Sequence, residues 1–153
     1  METTTHTPDT VPSTSTLTEP RAGVARLGWW RAAGLAVVAA VAVNLVILAI
    51  GTAADASFVV VDNGDPADVT AALIVAATAI PLAVGFLVAA LLARRRPGWV
   101  RPLALVAAAF AVVSIASPFA ADTDSGTAAA LAVMHLVVGA AYVGGTEAAR
   151  ARA

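Results

Sequence analysis

The chain of 153 residues contains no cysteine. That excludes disulfide scaffolds, thiolate metal sites and thiol redox chemistry together, and leaves the redox compartment undetermined. Lysine is also missing, so every basic residue is arginine; with alanine dominating the apolar stretches, this is a composition typical of high-GC bacterial genomes. Charge itself is scarce: 12% of the residues are charged against 59% hydrophobic, where an average soluble domain has about 25% and about 45–50%. A chain this long can bury an ordinary core, but it lacks the polar surface to cover one. Much of its outside must face lipid. The net charge of -1 does not suit a general nucleic-acid binder.

Four apolar runs are present: Ala32–Ile50, Val69–Ala93, Leu103–Ala121 and Thr127–Gly145. Each has the roughly 17–25 residues that cross a hydrocarbon core of about 30 Å, and none carries a charge in its interior. Runs this long and without alternation read as helices rather than barrel strands. The expected fold is all-α, an integral membrane four-helix bundle with N-in/C-in topology. Its helices fall at about 30–51, 67–93, 102–121 and 126–147 within a transmembrane domain over 29–149. Residues 1–28, opening on a Thr-, Ser- and Pro-rich stretch without apolar periodicity, read as a disordered cytoplasmic tail, with a second short tail at 150–153. His6, in the first tail, has no partner ligand nearby and reads as solvated.

The boundaries carry their own signals. Asp65-Pro66-Ala67-Asp68 has the chemistry of a helix start, with Asp65 as cap, Pro66 in the first turn and Asp68 at the positive dipole end. Arg101-Pro102 opens the third helix similarly, and Asp124, Ser125 and Thr127 offer caps for the fourth. Phe58–Val61, followed by the turn residues Asp62-Asn63-Gly64-Asp65, predicts a short extended segment on the outer face or dipping into the headgroups. Trp29, Trp30, Trp99 and Tyr142 fall near one expected interface, as an aromatic belt would.

Charge sign is segregated. Arg21, Arg26 and Arg31 precede the first span, Arg94, Arg95, Arg96 and Arg101 lie between the second and third, and Arg150 and Arg152 follow the fourth. The other two loops hold only aspartates: Asp55, Asp62, Asp65, Asp68, Asp122 and Asp124. The positive-inside rule then puts both termini and the central loop in the cytoplasm, the chain spanning the cell's inner or plasma membrane. A competing reading takes the first arginines, the first apolar run and Ala54-Asp55-Ala56 as a cleaved signal peptide with a mature start at Ser57. The run exceeds the about 7–15 residues of a signal h-region, which favours a retained span.

Polar side chains inside the spans are few: Asn44, Thr78, Ser114 and His135. At about 1.5 Å of rise per residue, all four lie roughly 7–12 Å below the outer helix ends and can form one layer. His135 shares a face with Ala128, Ala132, Gly139 and Tyr142, a small-residue face that directs it into the bundle. The plain reading of the layer is interhelical hydrogen bonding; the sharper one is a polar site with His135 as proton acceptor or ligand contact. Pro81 frees the carbonyl of Ala77 and predicts a kink in the second helix. Asp122-Thr123-Asp124-Ser125-Gly126 opens like a calcium loop but lacks the distal Glu, and no metal or cofactor is expected. A lone intramembrane His does not supply two haem ligands, Ser114 lacks a nucleophile elbow, and no intramembrane carboxylate is present for a proton relay.

Arg96-Pro97-Gly98-Trp99-Val100, Ser117-Pro118 and Ala132-Val133-Met134-His135-Leu136-Val137-Val138-Gly139-Ala140 resemble the actinobacterial membrane proteins grouped as domain-of-unknown-function family 6069. The resemblance covers nearly everything after the tail and implies a compact four-helix membrane protein, with His135 in its most recognisable segment; Gly144-Gly145-Thr146-Glu147 departs from the more apolar ending of that family. It carries no activity, substrate or ligand. The function expected is a non-enzymatic structural or interaction subunit, contacting the lipid bilayer and a membrane-protein partner or a second copy through small faces such as Ala128/Ala132 and Ala140/Gly144. The alternative is a small oligomeric transporter or channel using the polar layer. A membrane enzyme using His135 is a third reading, weakened by the lack of a second catalytic group.

Overall fold

A computed structural model describes residues 22–62 and 64–151. The expected tail up to Arg21 lies outside the described residues, as do His6, Asn63 and Arg152. From Ala22 the chain is already helical, so residues 22–28 extend the first helix instead of belonging to a tail.

Five helices and a hairpin follow in order: α1 Ala22–Ala53, β1 Val59–Asp62, β2 Asp65–Asp68, α2 Ala71–Arg95, α3 Val100–Ser114, α4 Ala116–Ala120 and α5 Ser125–Arg150. Among the described residues, four stretches are long and apolar enough to cross a membrane: Gly28–Ala53, Ala71–Arg95, Pro97–Ala120 and Ser125–Arg150.

Two boundaries differ from expectation. Asp65-Pro66-Ala67-Asp68 does not open α2; it forms β2, paired antiparallel with β1 in the register Asp62↔Asp65 to Val59↔Asp68. The reason is the tight turn between Asp62 and Asp65, which folds the chain back on itself, with Gly64 at φ 92°. Pro66 sits opposite Val61, one step beyond the pair that closes the turn. That is a non-hydrogen-bonded position, so its missing N–H costs the ladder nothing. Thr70 caps α2 instead, its side chain accepting from Leu73 N. The third span is interrupted at Ile115, separating α3 from α4. Pro118 explains this: it has no N–H for the carbonyl of Ser114, four residues back, and its ring crowds that carbonyl. By contrast α2 runs without interruption through Pro81. A 3-10 turn at Pro97–Trp99 starts the third span a little before the expected Arg101-Pro102.

The helices do not close a symmetric ring. α5 packs extensively on α1 and α3, and α1 also packs on α2, while α2 and α3 touch little beyond their connection. Small residues allow the close approaches. A Cβ built on Gly139 falls 2.6 Å from the Ala111 Cβ, and one on Gly145 falls 2.5 Å from Phe86 Cζ. The buried core lies in two parts. Trp29, Ala33, Phe86, Ala89, Val100 and Ala149 fill the arginine end, and Ala56, Phe58, Ile74 and Met134 fill the aspartate end. Arg31, Arg94, Arg95, Arg96 and Arg101 are all exposed at the first of these ends.

The expected aromatic belt is half right. Trp30 and Trp99 face outward, but Trp29 and Tyr142 are buried. Tyr142 packs beside Phe86 with ring centroids 5.3 Å apart, and its hydroxyl donates to the Gly85 carbonyl at 3.2 Å. A phenol that finds a backbone acceptor inside the bundle has no need of the interface.

Candidate functional site: a groove between the second and third helices

Because α2 and α3 splay apart, they leave a groove with a volume of about 930 Å³, floored by α5 and backed by Asn44 of α1. Its rim is apolar and exposed: Leu73 and Val88 on one side, Phe110 (74% exposed) and Val113 (72%) on the other. No charged side chain lines it.

All four polar residues expected from their depth in the spans meet in this wall: Asn44, Thr78, Ser114 and His135. Asn44 is 1% exposed and Thr78 is 3%, and Asn44 Nδ2 donates to Thr78 Oγ1 at 2.9 Å, joining α1 to α2. Ser114 and His135 do not bond to that pair or to each other. Ser114 Oγ donates to the Ala111 carbonyl at 2.8 Å, and His135 Nδ1 lies 2.7 Å from the Leu131 carbonyl one turn back. A carbonyl can only accept, so that contact puts the ring proton on Nδ1. In the neutral imidazole, Nε2 is then an acceptor with no partner among the described residues.

The wall offers acceptors and hydroxyls together: no acceptor is found among the described residues for the O–H of Thr78 or of Ser117. Asn44 Oδ1 is buried without a hydrogen-bond partner among the described residues. Ala77 and Ser114, both in the wall, are the residues whose carbonyls lose their helical donor to Pro81 and Pro118. Pro81 itself is in the wall, so its place in the fold is beside the site. The expected topology arginines are remote from it, at the arginine end of the bundle. Sequence reasoning missed Ser117 and Tyr142 as wall residues. Tyr142 stood on the same helical face as His135, seven positions on, and that spacing was the available signal.

At the opposite, aspartate-bearing end the two loops are tied together. Asp124 caps α5 through Thr127 N at 2.9 Å and accepts from Thr127 Oγ1 at 2.6 Å. It also accepts from Ser57 Oγ at 2.6 Å and Ser57 N at 3.1 Å. The Ser57 and Thr127 hydroxyls and amides hold its carboxyl well below the ordinary value of 3.8, since each of these hydrogen bonds favours the charged form. Phe58 N donates to Thr127 Oγ1, and the hairpin is pinned by Val61 N to the Asp122 carbonyl and Thr123 Oγ1 to the Val59 carbonyl. The calcium-like sequence at 122–126 thus serves as a cap and a clasp between loops.

Searches of curated proteins and of solved structures returned no match. The model of a family of unknown function, DUF6069, matches residues 24–152, which takes in the helices apart from the first two residues of α1, the hairpin and all wall residues of the groove. Covering most of the chain, that match establishes its membership: the protein belongs to DUF6069.

Proposed function

We propose that this is a non-enzymatic, multi-pass protein of a bacterial plasma membrane, with both termini cytoplasmic, that acts as an interaction subunit through the open groove between α2 and α3. The observation that carries the reading is the groove itself. The apolar rims of α2 and α3 stay apart over a wall that holds all four intramembrane polar residues, of which Asn44 and Thr78 are buried and Ser114 and His135 partly open. Binding rather than turnover is favoured because Ser114 Oγ and His135 Nδ1 each engage a backbone carbonyl of their own helix, leaving no nucleophile–base pair. Orientation follows from the arginines gathered at one end and the aspartates at the other.

The cysteine-free chain makes the test direct. Single cysteines at rim positions Val88 and Val113, and at Val43 on the outer face of α1, are coupled to a photo-crosslinker in native membranes. The reading expects discrete adducts from the rim and only bulk phospholipid from Val43. Indistinguishable products from all three positions contradict it. The oligomeric transporter or channel remains the second reading, favoured by the polar layer lying on an uncovered face; solute flux in liposomes, absent from Asn44→Leu and His135→Leu variants, is its signature. Ala128 and Ala132 are buried inside the bundle, whereas Ala140 and Gly144 are exposed, so self-association uses the latter pair.

A further inference from the structure

The chemistry of the groove narrows what it holds, taking as given that the groove is the binding face. Three features matter. First, about 930 Å³ falls at the upper end of the roughly 300–1,000 Å³ of small-molecule sites. A partner's membrane-crossing helix, about 30 Å long and 10 Å across, displaces roughly 2,400 Å³, so it rests on the rim and leaves the polar wall beneath it to a smaller molecule. Second, the wall has no charged side chain, so a phosphate or ammonium head would lie there without a counter-charge, at high cost in a low-dielectric site. Third, the accessible polar groups of the wall are His135 Nε2, an acceptor in the neutral ring, and the exposed Ser117 hydroxyl, while Asn44 Oδ1 is fully buried behind them.

We propose that the groove binds an uncharged, lipid-like molecule with a hydroxyl head, its hydrocarbon lying between α2 and α3 and its hydroxyl donating to His135 Nε2. A hydroxyl both donates and accepts, which suits a wall that offers the acceptor His135 Nε2 and the Ser117 hydroxyl. The ligand enters sideways from the bilayer across the exposed rim of Leu73, Val88, Phe110 and Val113. Burying an acceptor without a donor costs more than an ordinary hydrogen bond gains, so the unfilled acceptor favours a donor-bearing head over a plain hydrocarbon.

The test uses the full chain in phosphatidylcholine nanodiscs and a hexadecanol carrying a mid-chain diazirine. The same labelled chain ending in a phosphate monoester or a trimethylammonium serves as comparison. After irradiation, labelled residues are located by mass spectrometry. The alcohol is expected to label groove residues of α2 and α3 about tenfold more than either charged analogue, the factor that about 1.4 kcal/mol produces. His135→Leu, and separately Ala77→Trp, which fills the groove from an exposed wall position, should each cut labelling by a similar factor. His135→Gln, which keeps an acceptor, should restore part of it. Circular dichroism and monodispersity confirm that each variant is folded. Equal labelling by all three heads, or labelling that survives both His135→Leu and Ala77→Trp, overturns the proposal. If the alcohol fails while rim cysteines in native membranes still capture a discrete protein, the ligand class falls and the groove remains the binding face. If the rim behaves like Val43, both fall.

Discussion

At the scale of single residues, the sharpest contrast is between adjacent glycines on α5. A Cβ on Gly145 would meet the Phe86 ring at 2.5 Å and the Ala36 Cβ at 2.8 Å, whereas one on Gly144 meets nothing within 4 Å. Phe86 is 1% exposed and has nowhere to go. Gly145→Ala is therefore expected to cost about 1–3 kcal/mol by overpacking, while Gly144→Ala gains about 0.5–1 kcal/mol from helix propensity. Unfolding of the two variants in mixed micelles would show the opposite signs. The Asn44–Thr78 hydrogen bond is a second residue-scale prediction. A double-mutant cycle with Asn44→Leu and Thr78→Val should give a coupling of about 0.6 kcal/mol, the usual size for polar pairs between membrane helices. Depth counting along the spans was enough to place Asn44, Thr78, Ser114 and His135 together. It did not reveal their partners, because the carbonyls that Ser114 and His135 choose are local and depend on rotamers that spacing does not encode.

Among elements, the hairpin and the α5 N-terminus behave as one unit through Asp124. Its carboxyl titrates below the ordinary 3.8 when folded, so the folded state binds protons less readily than the unfolded one. The clasp's contribution is then fully present above pH 3.8 and is lost as the pH falls below it, through the folded value. Hydrogen exchange of the Ser57, Phe58 and Thr127 amides should be flat in protection from pH 5 to 8, after correction for intrinsic rates. Asp124→Asn should loosen all three amides across that range, and Asp122→Asn, where the backbone carbonyl makes the tie, should not. The elements also show where sequence patterns mislead. Asp65-Pro66-Ala67-Asp68 has the local chemistry of a helix start, but the tight turn after Asp62 pairs the same residues with β1 as a strand; a pairing partner beyond the window outweighs the local cap signal. The third span reads as one continuous run because its hydropathy is continuous, while Pro118 divides its backbone at Ile115.

For the molecule as a whole, the four apolar runs and the sorting of charge were plain in the sequence, since both depend on composition alone. The groove was not. Whether α2 meets α3 depends on how four alanine-rich surfaces distribute their contacts, and every face is apolar enough to pack or to face lipid. The first helix is integral to the arrangement: α1 supplies Asn44 to the groove and packs on both α2 and α5. A chain shortened to begin at Ser57 would lose the polar pair, and intact mass of the membrane-extracted protein is expected to include residues 1–56.

Topology underlies all of this, and the absence of native cysteine allows it to be read in intact cells. Asp65 in the hairpin and Gly98 in the 3-10 turn are both exposed, at opposite ends of the bundle. With a membrane-impermeant maleimide applied from outside, Asp65→Cys should react in intact cells and Gly98→Cys only after permeabilisation. Labelling of Gly98→Cys in sealed cells, with Asp65→Cys protected, would contradict the account.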